Sequence, residues 1–125
     1  MKFIETKNAP LPMGHYSQAV RHGGLLYVSG ILPVALQAPV IQTLSFADQT
    51  ELVLSHVGAI LSAEDIMPSD IIQVRVYVTS VDNWGIFNEK YARFLGDHKP
   101  SRAVVPVPEL HHGFDLELEL IARAN

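Results

Sequence analysis

Apolar residues recur with a period of two at both ends of this chain and with a period of 3.6 twice in its middle, and that order restricts the fold more than any other feature. Side chains alternate across a strand and return to one face of a helix every 3.6 residues, so strands here flank helices. Near the N-terminus, Tyr16–Val20 and Leu25–Ser29 straddle His22-Gly23-Gly24. Paired glycines accept the positive φ of a tight turn, and the segment predicts a β-hairpin. Ile31 to Thr43 carries Pro33 and Pro39 and predicts irregular chain or a frayed strand, because proline cannot donate to a ladder. Ser45, with Asp48 following, marks a helix start; Phe46, Val53, Val57, Ile60 and Leu61 form its stripe, which ends near Ala63.

Met67-Pro68-Ser69 reads as a turn. Ile72, Val74, Val76 and Val78 then alternate with Gln73, Arg75, Tyr77 and Thr79, which predicts a strand. Asp82 or Asn83 caps a second helix bearing Phe87, Tyr91, Phe94 and Leu95, with Gly96 placed to close it. Two more strands follow, about Arg102–Val107 and Phe114–Ala122, joined by Pro108–Gly113. The order β-hairpin, α, β, α, β, β implies an α+β layer, one mixed sheet carrying both helices on one face. With 125 residues the chain has material for a single domain over 1–125. The second face of the sheet must then meet water or another subunit. Apolar residues are 48% and charged residues 18% of the chain, against roughly 25% charged in ordinary soluble domains, which favours the subunit.

Several function classes drop out on composition. The formal charge of −4 argues against a general nucleic-acid binder, which gains affinity by neutralising phosphates. The absence of cysteine removes disulfide frameworks, thiolate zinc sites and cysteine nucleophiles. No apolar run approaches the about 20 residues that span a bilayer, and Met1-Lys2-Phe3-Ile4-Glu5-Thr6 has no secretory h-region. A soluble cytoplasmic domain is the expectation.

Chemistry concentrates near the C-terminus. In Phe114–Leu120, alternation sends Leu116, Leu118 and Leu120 to one face and Asp115, Glu117 and Glu119 to the other. Arg102 opens the preceding strand. If that strand pairs antiparallel with the last one, Arg102 and Val104 share a face with Glu117 and Glu119. A guanidinium near carboxylates is either a plain ion pair or a fork for the carboxylate of a small acid, leaving a glutamate free for proton transfer. The residues alone leave both open. Other constellations fail. His111 and His112 are adjacent with no evident third ligand, so they read as loop histidines and not a metal site. Gly23-Gly24 precedes no helix N-terminus and is not a phosphate loop. Trp84, Phe87 and Tyr91 at helical spacing read as core or interface.

Gly14-His15-Tyr16-Ser17-Gln18-Ala19, Ser29-Gly30-Ile31-Leu32-Pro33 and Gln49-Thr50 resemble, in order, the opening motifs of the Rid (reactive intermediate deaminase, YjgF-like) family, which also carries an endoribonuclease L-PSP description. Phe87-Asn88 through Tyr91 and Phe94 is similar to its second-helix motif. Pro100-Ser101-Arg102 on to Glu117-Leu118-Glu119 and Ile121-Ala122 is similar to its C-terminal signature. The resemblance implies a chorismate-mutase-like homotrimer whose sheets form a central barrel, with clefts between neighbours. It implies hydrolysis of enamines and imines of the 2-aminoacrylate or 2-iminopropionate type to a 2-keto acid and ammonia, with no cofactor and a carboxylate-bearing small molecule as partner. It places substrate-carboxylate binding on Arg102, water handling on Glu117, further catalytic positions on Tyr16 and Ser29, and substrate-binding positions on Asn88 and Val104.

The chain departs from the family pattern in several places. Val104 stands where many members carry cysteine, His15 replaces a proline, Ile31 a glutamine and His111 a proline, and the stretch near Val34 to Thr43 lacks the usual Thr-Gly turn. These changes bear on substrate range. Rival readings are a non-catalytic trimer that binds keto acids in the same cleft, a related hydrolase on another C–N substrate, and a ribonuclease. The last is disfavoured by nine scattered basic residues and no aromatic-basic stripe.

Overall fold

A computed structural model of the chain describes residues 1–36 and 44–125. Among these residues six strands, β1 (Lys2–Ile4), β2 (Ala19–His22), β3 (Leu25–Ile31), β4 (Ile71–Val78), β5 (Ser101–Pro106) and β6 (Leu116–Arg123), form one sheet in the order β1-β2-β3-β6-β4-β5. Only β4 and β5 run parallel, so the sheet is mixed. Helices α1 (Phe46–Ser62) and α2 (Trp84–Leu95) pack on one face, as the order of periodicities implies. The core between them draws on Val53, Val57 and Leu61 of α1, Phe87 of α2, and Val74, Val76, Leu116 and Leu118 of the sheet.

Local rules explain most boundaries. Gly23 (φ 60°) and Gly24 (φ 79°) supply the left-handed pair that reverses β2 into β3. The Ser45 hydroxyl accepts the Asp48 N–H at 3.1 Å, capping α1, and Gly96 (φ 64°) ends α2. Other expectations need correction. The hairpin's first strand begins at Ala19, later than Tyr16, and a three-residue β1 pairs with it. Lys2–Ile4 is too short to show a period, so no pattern betrays it. Asn83 holds the N-cap position of α2, as expected, but makes no capping side-chain bond; the Ser80 hydroxyl caps a preceding 3₁₀ turn, Val81–Asn83, which feeds the helix. Ile72 is exposed, because the β4–β6 register shifts between Ile71 and Gln73 and turns Ile71 inward instead. The stretch expected to be irregular is so from Leu32 to Leu36; its remainder, 37–43, lies outside the described residues.

One correction governs the site. β5 does not pair with β6. It pairs with β4, parallel, and β4 separates it from β6. Arg102 lies beside Val74 and Val104 beside Val76, both inward positions, whereas Glu117 lies beside Tyr77 and Glu119 beside Arg75 on the opposite face. Within one subunit, Arg102 and Glu117 therefore do not share a face. The reason is the α2 crossover: a helix between β4 and β5 returns the chain in the same direction, which a parallel pair requires. β6, whose inward side chains Leu116, Leu118 and Leu120 are all buried, takes the central place between β3 and β4. Among the described residues no helix covers the other face, and Tyr27 stands 43% exposed there.

Candidate functional site

Two clusters, one on each side of the sheet, carry the candidate chemistry. The first surrounds a cavity of about 690 Å³ whose polar wall holds Tyr16, Ser29, Gly30, His111, His112 and Glu117. Leu11, Met13, Ile31, Leu32, Val34 and Ile60 make its apolar wall. The polar end is built at a bulge. Between Val28 and Ile31 the β3–β6 register shifts, and Ser29 and Gly30 fall in the irregular step. The Ser29 hydroxyl donates to the Ser17 carbonyl at 2.7 Å, and its N–H donates to the Gln18 carbonyl at 3.0 Å. Ser29 thus holds the loop bearing Tyr16 while its oxygen keeps lone pairs for a ligand. A Cβ on Gly30 would lie 3.1 Å from the Glu117 carboxyl carbon and 3.3 Å from both oxygens. Glycine is therefore what lets the carboxylate lie flat against β3.

Glu117 has no cationic partner among the described residues, unlike Glu119, which Arg75 engages at 3.0 Å. Burial pushes its carboxyl above the usual carboxylate range; the charge of His111 opposes that and Glu119 adds to it. A carboxyl so placed keeps its proton to higher pH than an exposed one, a direction that suits a proton-transfer group.

Gln18, which the sequence reading quoted without a role, holds the neighbouring wall. It is 4% exposed, accepts the Thr6 N–H at 2.7 Å, and donates to the carbonyls of Thr6, Ala9 and Pro10 at 3.0, 3.3 and 2.9 Å. A buried amide with every bond made fixes the segment it grips. Gln49 does the same for β6: its Oε1 accepts the Asp115 N–H at 2.8 Å, its Nε2 donates to the Asp115 carboxylate at 3.2 Å, and Thr79 donates to that carboxylate at 2.7 Å. The anchor lies two residues before Glu117, so α1 and β4 together set where that carboxyl stands.

The second cluster sits on edge strand β5 and α2. Arg102 Nη1 donates to Asn88 Oδ1 at 2.9 Å. Its guanidinium carbon lies 5.0 Å from the Tyr91 ring centroid and 6.0 Å from that of Phe87, over rings that stack on each other at 5.2 Å. Phe87 and Tyr91, read from spacing as core or interface, are both buried, and they also form the shelf for this cation. No carboxylate among the described residues pairs with Arg102. Of the two uses left open for it, the intramolecular ion pair is not made. Val104, on edge strand β5, is partly buried and packs its side chain on the core.

Known proteins share the sequence pattern and the fold of this chain. Residues 6–124 match the family model described as Endoribonuclease L-PSP. The chain is 38% identical over 119 residues to the RutC family protein PH0854 of Pyrococcus horikoshii, covering 95% of this chain and 94% of that one. It is 36% identical over 124 residues to TdcF of Escherichia coli, a candidate reactive intermediate deaminase, covering 97% of this chain and 95% of TdcF. The crystal structure of TdcF with bound serine superposes with a TM-score of 0.92 over 100% of both chains, at 34% identity. The Rid-family protein YyfA of Yersinia pestis superposes with a TM-score of 0.94 over 98% of each chain, at 32% identity.

Proposed function

The chain belongs to the endoribonuclease L-PSP family, the Rid proteins, and from that premise we propose that it hydrolyses small 2-imino acids of the 2-iminopropionate type to 2-keto acids and ammonia, at sites shared between copies of itself. One observation carries the reading. Arg102 and Glu117 each lack an ionic partner among the described residues, and they stand on opposite faces of one sheet. A free fork and a free carboxyl placed so serve one small molecule only if the β5 edge of one copy closes the cavity of the next. A ring of three copies meeting through their uncovered sheet faces makes that closure three times. Size-exclusion chromatography with light scattering is expected to give three times the 13.8 kDa chain mass; a monomer would overturn the shared site.

In the closed site Arg102 holds the substrate carboxylate in two parallel hydrogen bonds, and Asn88 keeps the guanidinium turned toward it. The imine carbon is already electrophilic, so orientation of water is the main requirement, and holding reactants in line is worth several kcal/mol of barrier, on the order of 7–11 in favourable cases. Glu117 takes the proton of the attacking water and returns it to the leaving nitrogen. Tyr16 and Ser29 hydrogen-bond the water or the nitrogen, and the main chain at Val104 borders the carboxylate. Serine bound to TdcF supports this assignment, since serine carries a carboxylate and a nitrogen on one carbon.

The test is a pyridoxal-phosphate dehydratase acting on serine, with the protein added and ammonia and pyruvate release timed. Faster release than the dehydratase alone is expected; an unchanged rate would overturn the proposal. Gly30→Ala brings a methyl against the Glu117 carboxylate. A kcat loss on the order of tenfold is expected with an unchanged urea midpoint, because even sub-ångström misplacement is costly in an oriented site. RNA cleavage has less support. Six of the nine basic side chains, Lys2, Arg21, Arg75, Lys90, Arg93 and Arg123, are paired with carboxylates and poorly placed to neutralise phosphates.

A further inference from the structure

We propose that His111 is a second proton-transfer group of this site, giving a proton to the substrate nitrogen while Glu117 takes one from water; the inference rests on the imine-hydrolase reading. From the sequence, His111 and His112 are loop histidines without a task. The structure places both on the wall of the cavity that holds Glu117. They belong to one exposed 3₁₀ turn, His111–Gly113, that runs into buried Phe114. The His111 carbonyl accepts the Phe114 N–H at 3.3 Å, and Phe114 is 2% exposed. The His112 ring meets Phe114 edge-on, with centroids 6.2 Å apart and planes at 74°. His112 also lies in the left-handed region, at φ 62° and ψ 18°, which costs a non-glycine residue energy and persists only where surroundings enforce it.

The groups around this pair leave His111 as the natural acid. Glu119 on β6 is engaged by Arg75 of β4, and Tyr77 of β4 lies beside Glu117 in register. Tyr16 lines the same cavity, where its hydroxyl can hydrogen-bond the water or the nitrogen. His112 is turned against Phe114. His111 and Glu117 line the same cavity, and a positive charge on His111 favours the ionised Glu117 carboxylate.

The chemistry balances. Water adds to the imine carbon as the C=N π pair moves to nitrogen; Glu117 takes a water proton, and the nitrogen takes the His111 proton. In the carbinolamine the Glu117 proton then passes to nitrogen, the C–N bond breaks, and ammonia leaves. The hydroxyl proton returns to His111 as the C=O bond forms. Carboxylate and imidazolium are both restored.

The test compares wild type, His111→Gln and His111→Ala in the imine assay across pH. His111→Gln is expected to lose roughly 10²-fold in kcat, the low end for a proton-transfer group, with KM near wild type and without the alkaline fall of the wild-type profile. Free imidazole is expected to restore part of the His111→Ala rate. Titration of the Glu117 carboxyl by ¹³C NMR is expected to move upward in His111→Gln, a readout that needs no turnover. A wild-type rate and alkaline fall in His111→Gln, no rescue by imidazole, or an unmoved Glu117 titration would overturn the role of His111 alone. No hydrolysis by the wild type would overturn the imine-hydrolase reading and this inference together.

Discussion

Arg102→Lys is expected to lose nearly as much activity as Arg102→Ala, on the order of 10²-fold in kcat/KM, because the fork and not the charge holds the substrate. A lysine keeps the positive charge, so a site that needed only attraction would tolerate it. The geometry around Arg102 is shaped for a plane. One face of the guanidinium lies over Tyr91 at 5.0 Å, and one nitrogen is taken by Asn88 at 2.9 Å. With one nitrogen on Asn88, the other N–H groups of the fork are the ones a carboxylate would take. An ammonium has no plane to rest on the ring and cannot make two parallel bonds to a carboxylate. The check is steady-state kinetics of both variants in the dehydratase-coupled assay, with keto-acid binding measured by calorimetry. A lysine variant near wild type in either would rule out bidentate capture.

Glu117→Gln is expected to abolish most turnover, by roughly 10²–10⁴-fold, while keeping keto-acid binding, since the amide fills the same space but takes no proton. The same change is expected to stabilise the fold at neutral pH. Burial holds the Glu117 carboxyl above its ordinary range in the folded chain, so ionisation opposes folding. At pH below the unfolded value both states are protonated and the group costs nothing. As pH rises from there through the raised folded value, stability is lost, and above it the loss is complete. The glutamine never ionises and avoids that loss. Thermal melts of the two proteins should therefore coincide in acid and separate toward neutrality, with the glutamine variant higher. A variant that turns over normally would remove Glu117 from the proton path; one that melts lower at neutral pH would contradict its burial.

Where sequence reading succeeded, the information was local. The stripe from Phe46 to Leu61, the alternation from Val74 to Val78 and the glycine pair at 23 and 24 each act within a few residues, and all three stand as read. Where it failed, the cause was distant in the chain. Ile72 alternates perfectly with its neighbours, yet a register shift against β6 turns it outward. The start of α2 depends on a 3₁₀ turn that no period announces. The candidate site shows the same division. Arg102 and the acids of the last strand stand out by chemistry alone, as an arginine opening an apolar strand and carboxylates alternating with leucines; the family resemblance is what selects Glu117 among them. Their supports, Tyr91 beneath the guanidinium and Gly30 beside the carboxylate, look like core and turn residues until the strands are placed.

By itself, then, the sequence determined both helices and the longer strands, which side chains face inward on most of them, and which arginine and which acidic strand to suspect. The tertiary structure alone decided that β6 lies between β3 and β4 and that β5 runs parallel at the edge, so that the two suspected groups face opposite sides. Periodicity is a property of neighbouring residues, whereas the choice of strand partner sums contacts between residues far apart in the chain. Only that sum separates Arg102 from Glu117 within one copy.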